Sequence, residues 1–286
     1  MRSLVSAFSI ALLLAACAER TSDPGAAGSD EPVGETRYET TTTVLDDADG
    51  VRLCLGVVLQ SLPPHCDGVP VHGWSWRDVD GGESASGVTW GDFHVVGTYD
   101  GTTFTLIEAG PPEPYPDEGG DQFAPPCPEP GGGWVDVDPS MTGDDDRIAA
   151  MRAAEGIGDY AGIWIGYLEE PVDEQAPGAY VLTVAFTGDP SAHEPAMRAV
   201  WGGPLCLKSA EHTFAELRRA QRDLGDGGAE RLGLEATWSD VDVTDNQVEL
   251  GVVVWDPSLQ AALDEEYGAG VVRVEPALRP LSVPEA

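Results

Sequence analysis

Val248-Glu249-Leu250-Gly251-Val252-Val253-Val254-Trp255-Asp256-Pro257-Ser258-Leu259-Gln260-Ala261-Ala262-Leu263 changes character at its centre, and that change decides the fold class. The first eight residues are rich in β-branched side chains, which suit a strand. Asp256 then supplies an N-cap, and Pro257 sits at the first helical position, where a missing N–H costs nothing. Leu259, Ala262, Leu263 and Tyr267 line one face of the helix that follows, Gly268 stops it, and residues 271–274 form a last strand. Upstream, residues 232–243 supply a partner strand across an Asp245-Asn246 turn.

Further upstream the same alternation continues. Residues 144–155 are helical, with Ile148, Met151 and Arg152 on one side, and residues 163–168 and 179–187 are strands, the second ended by Gly188-Asp189. A helix follows around residues 195–201. Cys206 lies in a short extended piece, and Thr213 with Glu216 forms a capping box for a helix to Leu224 with a Phe214, Leu217, Leu224 stripe. From residue 179 the order is strand, helices, strand, strand, helix, strand. That order suggests a ferredoxin-like split β-α-β domain over residues 134–286, with an antiparallel sheet covered by helices on one face. The extra Cys206 strand and the second helix depart from the layout.

Residues 38–109 carry the signals of a small all-β domain. Strands at 40–45 and 51–60 flank an acidic turn at 46–50, and strands at 88–99 and 102–108 flank Asp100-Gly101, a dipeptide suited to a tight hairpin. Trp74, Trp76 and Trp90 are expected in its core. Between the two regions, residues 110–133 hold eight prolines and form a linker, or a polyproline segment for docking a partner. The fold class is therefore α+β.

The chain of 286 residues has 15 Lys and Arg against 50 Asp and Glu, a formal charge of −35. Such a field repels phosphate backbones and anionic headgroups, so nucleic acid is excluded as a partner. Hydrophobic residues make up 42% of the chain, enough to bury a core.

At the start, Met1-Arg2-Ser3 precedes an apolar run over residues 4–16 that is too short to span a bilayer and has the anatomy of a secretory signal peptide, residues 1–16. Its end, Leu14-Ala15-Ala16-Cys17, resembles the bacterial lipobox. The resemblance implies a diacylglycerol on Cys17, which becomes the mature N-terminus and attaches the protein to the outer face of the cytoplasmic membrane. Cleavage removes one Arg and no acid, leaving 14 basic against 50 acidic residues, or −36. Residues 17–37 lack either hydrophobic period and are expected to be a flexible tether.

In an oxidising compartment the remaining Cys54, Cys66, Cys127 and Cys206 default to disulfides, with three pairings possible. Cys54 with Cys66 is the local choice, because Pro63-Pro64 can turn the chain back, and it leaves Cys127 with Cys206. The close C-x2-C pairs of a zinc site are absent, and no cofactor is expected.

Few residues point to catalysis. Gly-x-Ser-x-Gly is missing, Gly82-Glu83-Ser84-Ala85-Ser86 coming nearest, and no His-Glu-x-x-His occurs. His65, His72, His94, His193 and His212 are scattered. Gly156-Ile157-Gly158-Asp159-Tyr160-Ala161-Gly162 follows no strand, as a dinucleotide turn must, and Lys208, the single lysine, is preceded by Cys206-Leu207 and not by a phosphate-binding glycine. Acidic groups at Asp46, Asp47 and Asp49, at Asp78, Asp80 and Glu83, and at Asp136, Asp138 and Asp144 to Asp146 could serve calcium, yet none fits an EF-hand. A carboxylate pair for glycoside hydrolysis has no sequence signature.

Cys54-Leu55-Gly56, Pro63-Pro64-His65-Cys66, Gly73-Trp74-Ser75-Trp76, Trp90-Gly91 and Gly97-Thr98-Tyr99-Asp100-Gly101 together resemble a module of uncharacterised secreted lipoproteins of actinobacteria. That resemblance implies export and a Cys54 to Cys66 bridge, and no activity. Trp238-Ser239-Asp240 to Asn246-Gln247-Val248-Glu249-Leu250 is similar to the ferredoxin-like inhibitory pro-regions of alpha-lytic and streptogrisin-type proteases, which implies a protease-regulating module. The leading expectation is a lipid-anchored, non-enzymatic binding or structural component of the cell envelope. The alternatives are a calcium- or solute-binding ectodomain, a protease-regulating module and an envelope-polymer hydrolase.

Overall fold

The computed structural model describes residues 36–114, 124–168 and 180–281. The leader, Cys17 and the tether up to residue 35 lie outside them, as do residues 115–123 of the proline-rich segment. The fold is α+β: a disulfide-bonded, closed β-barrel followed by a mixed region of strands and helices.

The barrel region contains β1 (Arg37–Asp47), β2 (Gly50–Leu53), β3 (Val58–Leu59), β4 (His65–Cys66), β5 (Val69–His72), β6 (Glu83–Ala85), β7 (Val88–Tyr99) and β8 (Phe104–Gly110). Five strands close in the order β1-β2-β5-β8-β7 and back to β1. Every pair is antiparallel except β5 with β8. This is a five-stranded Greek-key barrel of the OB kind, a topology that assigns no ligand by itself. Along β7, alternate residues Gly91, Phe93, Val95 and Gly97 are buried, the period of two that a half-buried strand requires. They meet Val44, Leu53, Val69 and Phe104 in one core. Gly97 is needed there because a methyl group at its position would lie 2.3 Å from the Thr105 carbonyl oxygen and 2.5 Å from the Phe104 ring.

Trp74 and Trp76 pack edge-on against Phe93, at ring-centroid distances of 5.0 and 5.9 Å, and Trp76 Nε1 donates to Asp46 Oδ2 at 2.8 Å. Trp90 does not join them. β7 turns its odd-numbered residues inward, so Trp90 lies on the opposite face, half-buried and outside the core cluster. The strand expected at 51–60 is also interrupted. β2 stops at Leu53, Cys54 N–H donates to the Thr43 carbonyl at 2.9 Å, and the chain leaves the barrel as the β3–β4 hairpin, tied at its base by the Cys54–Cys66 disulfide with Cα atoms 5.6 Å apart.

The second region contains α1 (Asp144–Glu155), β9 (Tyr160–Tyr167), β10 (Tyr180–Phe186), α2 (Glu194–Arg198), β11 (Leu205–Ser209), α3 (Phe214–Asp223), α4 (Ala229–Arg231), β12 (Ala236–Asp242), β13 (Gln247–Val252), α5 (Gln260–Tyr267), β14 (Val272–Pro276) and β15 (Arg279–Pro280). One order of elements occurs twice: helix, antiparallel hairpin, short helix, parallel strand. It builds two three-stranded sheets, β11-β10-β9 and β12-β13-β14. Tyr180 and Gln247, Pro190 and Pro257, and Leu205 and Val272 each lie 67 residues apart at matching places in the two units. Both units leave the central strand through the same tripeptide. In Asp189-Pro190-Ser191 and Asp256-Pro257-Ser258 the carboxylate accepts the serine N–H at 3.0 and 2.9 Å. Asp138-Pro139-Ser140, before α1, does the same at 3.0 Å.

The strand–helix–strand succession read from the sequence is thus shared between two sheets, because each central strand takes its hairpin partner on one side and its helix-linked partner on the other. The Thr213–Glu216 capping box opens α3 as expected. Leu217 and Leu224 face the β12–β14 core, while Phe214 meets Tyr160 of the other unit at 5.7 Å. α1 buries Ala150 and Ala154 and leaves Ile148 and Met151 exposed.

Two links join this region into one compact unit from Thr36 onward. Cys127 is bonded to Cys206 on β11, with Cα atoms 5.7 Å apart. After β14 the chain returns to the barrel: Leu278 N–H donates to the Val253 carbonyl at 2.9 Å, both side chains are buried in the barrel core, and β15 pairs with β1 at Tyr38 and Glu39. Leu278→Ala should therefore lower the stability of the whole unit by about 2–5 kcal/mol. Chemical denaturation followed by tryptophan fluorescence checks this, and a loss under about 1 kcal/mol would contradict the packing described.

Candidate functional site

The barrel wall carries a recess of about 480 Å3 lined by Thr41, Thr42, Thr43, Asp92, Val58 and Glu113. Barrel closure places Thr41 opposite His94. Their side chains meet, Thr41 Oγ1 to His94 Nδ1, at 3.3 Å. Glu39 Oε2 stands 3.8 Å from His94 Nε2, and Glu113 Oε1 stands 3.9 Å from Nδ1. Hydroxyl, imidazole and carboxylate are the parts of a nucleophilic relay, which requires each to hydrogen-bond the next. Here the relay is unconnected: Glu39 is beyond hydrogen-bond reach, and Glu113 approaches the nitrogen already turned to Thr41. Thr43 Oγ1 donates to Asp92 Oδ1 at 2.6 Å, and Thr42 Oγ1 donates to the Cys54 carbonyl. Opposed side chains on neighbouring strands make such pairs structurally. The His94 partnership spans 53 residues and depends on strand register, so no local motif announces it.

A second recess, of about 230 Å3, lies where the two three-stranded units meet. Lys208 reaches it from β11, its Nζ donating to the Thr244 carbonyl at 3.1 Å and standing 5.5 Å from the centre of the Trp164 ring. Among the described residues Lys208 forms no ion pair with a carboxylate. Asn246, in the left-handed conformation with φ 58°, fixes the opposite wall. Its Oδ1 accepts from the Glu211 and His212 N–H groups at 2.9 and 2.8 Å, and its Nδ2 donates to the His212 carbonyl at 2.8 Å. The recess is smaller than ordinary ligand pockets and holds Asp245 and Glu211 beside the cation, so it suits a small neutral polar group better than an anion.

His193 and Asp159 form a third pair, Nε2 to Oδ2 at 3.0 Å, with the His193 ring tilted by 35° against Phe186 at a centroid distance of 4.3 Å. The hydrogen bond with His193 holds the Asp159 carboxyl below the usual carboxylate range, and the Gly188 N–H adds to the effect. The nearest hydroxyl in sequence, Ser191, donates to Asp189 at 2.7 Å.

Several of the acids flagged in the sequence are occupied by local hydrogen bonds and ion pairs. Asp46 accepts from Trp76, Asp47 pairs with Arg52 and accepts the Asp49 N–H, Asp144 pairs with Arg147 at 2.9 Å, and Asp146 caps Gly143 at 3.0 Å. Among the described residues no group of three His, Cys, Asp or Glu is placed to hold a metal ion. The Gly156–Gly162 run leaves a helix and enters a strand, the reverse of a dinucleotide turn. Cys54, Cys66, Cys127 and Cys206 are joined in the two pairs favoured by the local choice, and Cys17 lies outside the described residues. Among the described residues no helix is long and apolar enough to cross a membrane. No protein-family model matches the chain, and no curated protein matches it.

The Asp159–His193 pair sets a pH dependence. The folded-state pKa of Asp159 is depressed, so its contribution to stability is complete above the unfolded value of about 4 and disappears as pH falls through the folded value. Asp159→Asn should lower Tm by about 1–3 °C near neutral pH. The gap should narrow as pH falls below the unfolded value of about 4 and close once it has passed through the depressed folded value, which thermal melts of both proteins across that range would show. A gap that persists unchanged in acid would contradict the assignment.

Proposed function

We propose that the protein is a lipid-anchored component of the cell envelope, held on the outer face of the cytoplasmic membrane by an acylated Cys17 and acting by binding or as a structural element. The observation that carries this reading is the state of the other cysteines. Both pairs are closed, Cys54 with Cys66 and Cys127 with Cys206, which suits an oxidising compartment and leaves Cys17 without a partner in its own chain. A lone cysteine behind small residues at the end of an apolar leader has acylation as its chemistry. The tether, residues 17–37, holds two Arg against five acids, a net charge of −3 that gives anionic headgroups no hold, so attachment rests on the lipid.

The unconnected Thr41, His94 and Glu39 row supports binding or structure over turnover. A broad hydrolase screen of the purified protein should therefore show no turnover that depends on His94; activity abolished by His94→Ala would contradict the non-enzymatic reading. For the anchor, cells fed an alkyne-tagged fatty acid should label the wild-type chain and carry it into the detergent phase. Cys17→Ala should remove the label and shift the chain to the aqueous phase. A label that survives the substitution, or a wild-type chain recovered unlabelled in the cytoplasm, would overturn the proposal.

A further inference from the structure

The hairpin that leaves the barrel at Cys54 presents apolar side chains to solvent. Val57 is 63% exposed, Leu59 60% and Leu62 79%. The arrangement is directional. Val58 turns back to line the barrel-wall recess, so Leu59, the next residue of β3, points away from it, while Val57, just before the strand, stands exposed at the rim of a second recess beside Leu55, Val69 and Thr237. Leu62 lies in the connection between β3 and β4. The Cys54–Cys66 bond ties the base of this loop and reduces the ordering that any contact would require.

Its charge is equally particular. Residues 53–66 contain no Asp, Glu, Lys or Arg, in a chain where charged residues make up 23%. Residues 175–188 form another charge-free run of that length, and they contain β10, whose side chains are almost all buried. The loop therefore combines a core-like composition with an exposed position. The bilayer is the occupant that fits both. A surface with net charge −35 is repelled by anionic headgroups, and a neutral apolar loop is the part of it that meets no such barrier.

The chain's own geometry allows the contact. Eighteen residues, 18–35, separate Cys17 from the first described residue and span at most about 60 Å when extended. The loop base is hydrogen-bonded at Thr43, six residues along β1 from Arg37, or about 20 Å. We propose that the loop 54–66 is a second membrane contact, in which Val57, Leu59 and Leu62 enter the lipid interface once the chain is anchored. This rests on the reading of Cys17 as acylated. Three side chains bind weakly alone, and the tether supplies the effective concentration that makes them sufficient.

Hydrogen exchange on the acylated protein in phosphatidylcholine vesicles tests it, with the Leu59→Asp/Leu62→Asp double variant and the soluble Cys17→Ala chain beside it. Both substituted leucines are exposed, so the variant keeps its fold. Exchange of the 54–66 peptide should slow about tenfold in the vesicle-bound wild type compared with the double variant, while both proteins float with the vesicles. A wild-type chain that floats but exchanges there as fast as the soluble chain overturns the loop contact and leaves the anchor standing. A chain that does not float overturns both. Protection in the soluble chain that rises with protein concentration assigns the loop to a second copy and overturns the bilayer as its occupant.

Discussion

The pairing of β1 with β7 governs the architecture, because ten registered pairs from Arg37 with Thr98 to Asp46 with Thr89 turn an open sheet into a barrel. Closure gives Phe93, Val95, Phe104 and Leu53 a common interior. It also leaves one defect. β2 covers β1 only from Val44 onward, so the N-terminal half of β1 has an open edge. β15 fills it at Tyr38 and Glu39, and Leu278 beside it enters the barrel core. An unpaired strand edge is a template for association with other chains, and here the protein's own C-terminal segment covers it. The last strand of the α/β region is thus part of the barrel.

The same closure sets the chemistry on the barrel wall. Thr41 meets His94 because the register aligns them, and Asp92 meets Thr43 for the same reason. These polar contacts stitch the closing seam from outside while the aromatic residues fill it from inside. At the junction of the two three-stranded units Asn246 has the equivalent duty, satisfying three backbone groups of the 211–212 segment with one side chain. Its left-handed conformation is one that asparagine tolerates better than other non-glycine residues.

What the sequence makes legible is local. The Asp-Pro start of the 256–258 turn, the Thr213–Glu216 box, the Asp100-Gly101 hairpin and the cysteine pairing all follow from residues close to one another or from elimination among few candidates. What it hides is register and partner choice. The parallel contact of β5 with β8, the outward face of Trp90 and the division of six strands between two sheets depend on residues tens of positions apart. The doubled unit was visible in principle in the recurrence of Asp-Pro-Ser at 189 and 256, yet the flanking strands share little beyond β-branched and aliphatic character. The site residues divide likewise: the cysteines are plain in the sequence, whereas His94 gains Thr41 and Glu39 only through closure.

The charge of −35 fits this picture as surface and cap chemistry: carboxylates at Asp138, Asp189 and Asp256 open turns, and others pair with the few arginines. On the proposed reading, attachment to a membrane falls to the lipid on Cys17 and to apolar side chains. Intact-mass measurement of the protein extracted from membranes tests that conclusion most directly. The expected mass is that of a chain beginning at Cys17, increased by a diacylglycerol and its acyl modification and reduced by four hydrogens for two disulfides. A chain that begins elsewhere, carries no lipid, or retains four free thiols would contradict it.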